Sequence, residues 1–296
     1  MGVRGLVGTV ARVSHVRWTD RPALDRPVLV AAFEGWNDAG DAATSAVAHF
    51  GRAWAAQPFA SIDPEDFFDF TSARPHVRID EHDERQITWP TNEFLWAHPR
   101  GSGGVVLLRG TEPQLRWRTF CAQVLEVAQE LNCRMVVTLG ALLADVAHTR
   151  PTPVYGNAYS AGVMERLGLE GSNYEGPTGI VGVLHVECRD AGMDSVSLWA
   201  AVPSYAASVP SPKAALALVE RSTDFIGAAV GIDELGIATD AYEDRLTELV
   251  EEDEATAEYV AQLEESFDQD EFDREALGDG SGDELVEEVE RFLREQ

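Results

Sequence analysis

The sequence predicts an α/β protein: a three-layer α/β/α sandwich around a mostly parallel sheet, with antiparallel additions and a C-terminal helical extension. Three observations predict it. Continuous apolar runs of strand length recur along the chain, segments with helical spacing of apolar residues separate them, and the connections are long enough for parallel crossovers. The 296 residues, 45% of them hydrophobic, suffice for one large domain with an appendage.

Val28–Phe33 reads as a buried strand. Asp38 is the expected cap of the next helix. Asp41 falls at its third position, where the positive helix end favours an acid. Ala43, Ala46, Val47, Phe50 and Trp54 then repeat on one face. Residues 66–72 (DFFDFTS) and 86–96 (QITWPTNEFLW) alternate or carry aromatics and read as antiparallel strands, the second a hairpin bent near Pro90. Val105–Arg109 is the next buried strand. Thr111 and Gln114 have capping-box spacing, and Trp117, Phe120, Cys121, Val124, Ala128 and Leu131 follow on one helical face. Met135–Leu139 reads as a strand ended by Gly140. From Leu142 to Tyr159 the pattern is irregular, a long loop or a short strand excursion, and loops of that length are often functional. Helices are expected over Ser160–Leu167 and Thr178–Ala191, a strand over Ser195–Val202, and a helix over Ser211–Val230 entered through Pro212.

Past Asp233 the character changes, which divides the chain into a core, 1–236, and an acidic helical extension, 237–296. Residues 242–296 carry 22 acids against 4 arginines, so −18 of the net −28 lies there. Leu246, Leu249, Val250, Val260, Leu263 and Phe267 fall on helical stripes, and residues 268–283 read as a linker. Leu285, Val286, Val289, Phe292 and Leu293 form the apolar stripe of a last amphipathic helix, a candidate interface that its own domain or a partner must cover.

Several function classes are disfavoured. The negative field repels phosphate backbones, so no nucleic-acid partner is expected. No apolar run has membrane-spanning length, and the N-terminal stretch, broken by Arg4 and Arg12, lacks a signal-peptide core; no membrane and a cytoplasmic location are expected. Cys121, Cys133 and Cys188 lie far apart, which suits buried reduced thiols rather than a disulfide framework or zinc site. No phosphate loop, nucleophile elbow or metal-ligand spacing occurs, so no catalytic residue, metal or cofactor is assigned.

The candidate site begins in FEGWNDAG. Glu34, Gly35, Trp36, Asn37 and Asp38 follow a strand of the kind at whose carboxyl end α/β proteins bind ligands. They suit partner or ligand binding, subunit contact, or a tight turn alone. Glu34 and Asp38 would act as base and acid if their environments drove their pKa values apart. His148, near Asp145, has the makings of a general base, and Arg150 of an anion holder. Gly176 and Thr178 lie in GPTG, which opens a helix whose free amides would hold a phosphate or carboxylate.

FEGWNDAG (33–40), EPQLRWRTF (112–120), TLGALLADVAHTRP (138–151), YEGPTGIVGVL (174–184), SLWAAVPSY (197–205) and YVAQLEE (259–265) together carry a resemblance. The chain is similar to the proteasome assembly chaperone family, in the branch of the second such chaperone and its actinobacterial relatives. That implies a phosphorylase/hydrolase-like sandwich, a non-enzymatic chaperone or scaffold that binds proteasome subunits, and self-association, expected here as a homo-oligomer, a trimer. Two departures stand out. The chain ends Arg294-Glu295-Gln296, without the hydrophobic–Tyr–any-residue tail by which some relatives dock. Ser204-Tyr205 stands where many relatives have His-Tyr. The alternative function is a small-molecule enzyme or sensor using Glu34, Asp38, His148 and Arg150.

Overall fold

The computed structural model describes residues 14–159 and 174–279. Its main sheet has eight strands, in the order β1 (Val16–Trp18), β3 (Gln57–Ile62), β6 (Asn92–Ala97), β7 (Val105–Thr111), β2 (Val28–Glu34), β8 (Met135–Ala144), β10 (Ser195–Pro203) and β9 (Val154–Ala158). The four strands β7, β2, β8 and β10 pair in parallel. The outer pairings are antiparallel, so five of the eight strands run in one direction. A separate hairpin, β4 (His76–Ile79) with β5 (Arg85–Thr88), stands outside this sheet.

The central strands are largely apolar because both faces are covered, with Thr138 of β8 and Ser195 and Ser197 of β10 as buried polar exceptions. Val28, Val30 and Ala32 pack toward helices α1 (Ala42–Ala53) and α4 (Pro212–Ile226). Leu29, Ala31 and Phe33 point the other way, toward α2 (Trp117–Glu130) and α3 (Ile180–Asp190). The three-layer sandwich is the result. The chain leaves β2 toward the α1 face and leaves its neighbour β7 toward the α2 face. Adjacent strands with opposite exits make a topological switch point, where α/β sheets leave a crevice.

Several expected elements differ. DFFDFTS is no strand: Pro64–Asp66 form a 3-10 turn, and Phe67 and Phe68 are buried below it. The aromatics fill the core from a turn, which periodicity alone does not separate from a strand. Residues 86–96 are no hairpin. Pro90 separates β5, which pairs with β4, from β6, which pairs with β3 and β7. Thr111 ends β7 rather than capping α2, whose first residue is Trp117. Gly140 does not end β8; it pairs with Trp199 of β10, whose ring lies where a side chain at 140 would be. The irregular stretch is the end of β8 followed by the strand excursion β9. Asp41 precedes α1 because a 3-10 turn, Ala39–Asp41, is inserted ahead of it. The helix expected at Ser160–Leu167 lies outside the described residues.

The C-terminal region is two helices, α5 (Asp233–Glu251) and α6 (Glu254–Asp279). The boundary between 236 and 237 falls inside α5, and helix replaces the expected linker as far as Asp279. Leu235 joins the core of the α1–α4 face. Tyr242 and Leu246 pack with Ala206, and Val250 and Val260 with Ala147. The stripe from Leu285 to Leu293 is outside the described residues.

Candidate functional site

Three loops meet at the carboxyl end of the sheet, and one carboxylate ties them together. The loop after β2 carries Asn37, which is fully buried; its Nδ2 donates to Glu112 Oε1 at 2.7 Å. Glu112 stands in the loop after β7. The N–H of Ile180, first residue of α3, donates to the same oxygen at 2.9 Å. Glu112 therefore occupies the positive end of α3, the place where GPTG promised an anion site. The anion is the protein's own. Gly176 and Thr178 lie in the approach to α3, where the Tyr174 hydroxyl donates to Pro177 O at 3.0 Å.

The backbone of this joint is equally fixed. Asn37 O accepts from Ala141 N–H of β8 at 2.8 Å, and Glu34 O from Glu112 N–H at 2.9 Å. Gly35 has φ +122°, in the region that L side chains avoid. Gly179 is needed for close approach, because a Cβ there would lie 2.1 Å from Asn37 Oδ1. That oxygen is buried and receives no donor among the described residues.

Asp38 is turned inward. Its Oδ1 accepts from the N–H groups of Ala43 at 2.6 Å and Thr44 at 3.3 Å, and the Thr44 hydroxyl donates to Oδ2. It caps α1, as expected, but from ahead of the inserted 3-10 turn. Burial raises its pKa to about 6 against the pull of those hydrogen bonds.

Beside these buried polar groups stand large apolar side chains that face solvent. Trp36 is 64% exposed and Tyr174 66%, and Leu115 is exposed as well. One projects from each of the three loops joined through Glu112. Exposed aromatics on a rigid base are the ingredients of a protein-binding surface, since Trp and Tyr dominate interface hot spots.

His148 and Arg150 belong to a different assembly. The His148 ring meets the Tyr205 hydroxyl through Nδ1 at 2.8 Å and Thr247 Oγ1 through Nε2 at 3.1 Å. Burial, then the Lys213 ammonium, holds its pKa below the usual imidazole value. Arg150 grips Asp268 of α6 with two donors, at 2.7 and 2.8 Å. Asp145 accepts from the Tyr259 hydroxyl at 2.8 Å. These groups fasten α5 and α6 to the loop after β8. No hydrogen bond or ion pair among the described residues links them to Glu34 or Asp38.

Sequence reasoning missed a cleft of about 870 Å³ beside the switch point. Its walls are α1, the ends of β6 and β7, and the β4–β5 hairpin. Glu34 lines it together with Thr44, Arg74, His76, Arg78 and Arg109. Arg109 stands 3.8 Å from Glu93, while Arg74 and Arg78 form no ion pair among the described residues. No local motif announces the cleft, because its arginines come from separate stretches: Arg74 from the segment before β4, Arg78 from β4 and Arg109 from β7.

Comparison with known proteins gives the context. The sequence profile of the PAC2 family matches residues 32–250. A proteasome-assembly chaperone homologue from Mycobacterium tuberculosis is 48% identical, covers 79% of this chain and 99% of its own, and superposes with a TM-score of 0.73. A PAC2 family protein from Streptomyces avermitilis is 47% identical, with coverage of 79% and 99% and a TM-score of 0.74. PbaB, an archaeal proteasome activator from Pyrococcus furiosus, shares the fold at 17% identity, with a TM-score of 0.65 over 79% of this chain and 97% of that one. Among curated proteins nothing matches the sequence.

Proposed function

The chain belongs to the PAC2 family, and from that premise we propose that it is a non-enzymatic, chaperone-like protein-binding module. It acts as a homo-oligomer, a trimer, in the cytoplasm, and its partners are proteasome subunits. The observation that carries this reading is the exposed set Trp36, Leu115 and Tyr174 on three loops fastened by Glu112. A rigid, aromatic, solvent-facing surface costs little ordering entropy on binding. The partner class is suggested by the mycobacterial relative, a proteasome-assembly chaperone homologue, and by the archaeal one, a proteasome activator.

The groups suited to acid–base chemistry support the same reading by their engagement. Asp38 caps a helix, His148 and Arg150 hold α5 and α6, and Glu112 closes the amides of α3. Affinity capture of the tagged full-length protein from its native host tests the reading. Proteasome subunits should be recovered, and Trp36→Asp should deplete them; recovery unchanged by that substitution would overturn the assignment of this surface.

A second reading is favoured at one place only. The cleft beside Glu34 gathers Arg74, Arg78 and Arg109 on a chain of net charge −28, which suits a small organic anion. Calorimetric titration with citrate and with inorganic pyrophosphate tests it, and the absence of heat with both would dismiss it.

A further inference from the structure

Of the 23 lysine and arginine residues, Lys213 is the single lysine. It stands in the first turn of α4, where the positive helix end disfavours a cation. Two acceptors hold it there. Its Nζ donates to His148 O, in the loop after β8, at 2.5 Å, and pairs with Glu243 Oε1 of α5 at 2.5 Å. The Lys213 side chain is 13% exposed, and no other acid pairs with it among the described residues. The His148 ring reaches α5 separately, through Thr247.

α5 closes over this point with a short apolar row. Tyr242 and Leu246 pack with Ala206, and Val250 with Ala147. A helix held by so small a patch opens more readily than the central sheet. Opening carries Glu243 and Thr247 away from α4 and the β8 loop, and it uncovers the chain's only side-chain amine.

We propose that Lys213 is an acylation site controlled by α5: shielded while the helix is docked, reactive when it lifts, and an obstacle to its return once modified. The co-reactant is an acyl phosphate. The ammonium first gives a proton to solvent. The nitrogen lone pair then attacks the acyl carbon, the C–N bond forms, and the bond from that carbon to the phosphate oxygen breaks. Phosphate leaves with the electron pair and takes the surplus amine proton. The product is a neutral amide. Redocking would set the Glu243 carboxylate and His148 O against one uncharged N–H, in place of an ammonium with three donors. The inference goes beyond the protein-binding reading and does not depend on it.

Acetyl phosphate on the full-length protein tests it, with Lys213 followed by peptide mass spectrometry. The native chain should be acetylated there roughly tenfold or more slowly than the same chain in urea at the same pH. Thr247→Val removes a hydroxyl that meets His148 and not Lys213, so it should raise the native rate roughly threefold or more by loosening α5 alone. Hydrogen exchange reads the consequence. The acetylated protein, and Lys213→Gln, should exchange faster in α5 and α6 while the sheet is unaffected. A native rate equal to that in urea, a rate that Thr247→Val leaves unchanged, or acetylated protein that exchanges like the unmodified chain would overturn the proposal.

Discussion

The Tyr205 hydroxyl accepts from the backbone N–H of His148 at 2.8 Å and meets the ring Nδ1 of the same residue at 2.8 Å. One phenol thus fixes both the chain and the side chain of a histidine that the sequence offers as a base. The strut continues through Thr247, whose hydroxyl donates to Glu243 O at 2.9 Å. Tyr205→Phe would leave the buried N–H and ring nitrogen without this partner. A loss of about 1–3 kcal/mol is expected by denaturant unfolding. Hydrogen exchange should quicken in α5 and α6 before the sheet; uniform quickening, or none, would contradict the strut.

Asp38 gives a pH signature of definite sign. Its folded pKa, about 6, stands above the 3.8 of the free side chain, so the folded state holds the proton more tightly. Its contribution is fully present below about pH 3.8 and is lost as pH rises through about 6. The loss is at most about 3 kcal/mol. Asp38→Asn keeps an acceptor for Ala43 and removes the charge. Its stability relative to wild type should therefore rise between pH 4 and pH 7. Parallel stability–pH curves for the two proteins would refute the buried, reluctant carboxylate.

Gly179→Ala probes the clamp at Glu112. The new methyl would stand 2.1 Å from Asn37 Oδ1, and Asn37 is fully buried and cannot swing aside. Overpacking of this kind costs about 1–3 kcal/mol. Surface Trp36 fluorescence should shift at the same time, because the loops share Glu112. A neutral substitution would mean that the three loops are not rigidly joined.

Much of the scaffold was legible because parallel strands covered on both faces read as unbroken apolar runs. That is why β2, β7, β8 and β10 stand out in the sequence. β3 (QPFASI) did not, and β9 (VYGNA) was legible only as the short strand excursion offered beside a long loop, because both are short, carry proline or glycine, and sit toward the sheet edges. The joint FEGWNDAG was visible as a candidate, but its partner Glu112 lies 75 residues away from Asn37 and no spacing rule connects them. His148 and Arg150 attracted attention for their chemistry. Their targets, on α5 and α6, depend on how the helices return to the sheet, which is a tertiary fact.

Arg150 should matter locally rather than globally. Its two bonds to Asp268 are near the surface, where ion pairs are screened. Arg150→Ala should leave the melting temperature nearly unchanged while amides in the second half of α6 exchange faster. Salt should produce the same loosening in the wild type. A large fall in melting temperature, or unaltered exchange in α6, would show that this pair does not fasten the helix.

The account stands most directly on the affinity of the purified full-length protein for purified proteasome subunits of its own host. Wild type should bind, and Trp36→Asp or Tyr174→Asp should raise the dissociation constant by roughly 30-fold or more, the loss of one hot-spot aromatic at about 2 kcal/mol. Absence of binding by the wild type, or affinity that neither substitution changes, would contradict the claim that this end of the sheet is a protein-binding surface.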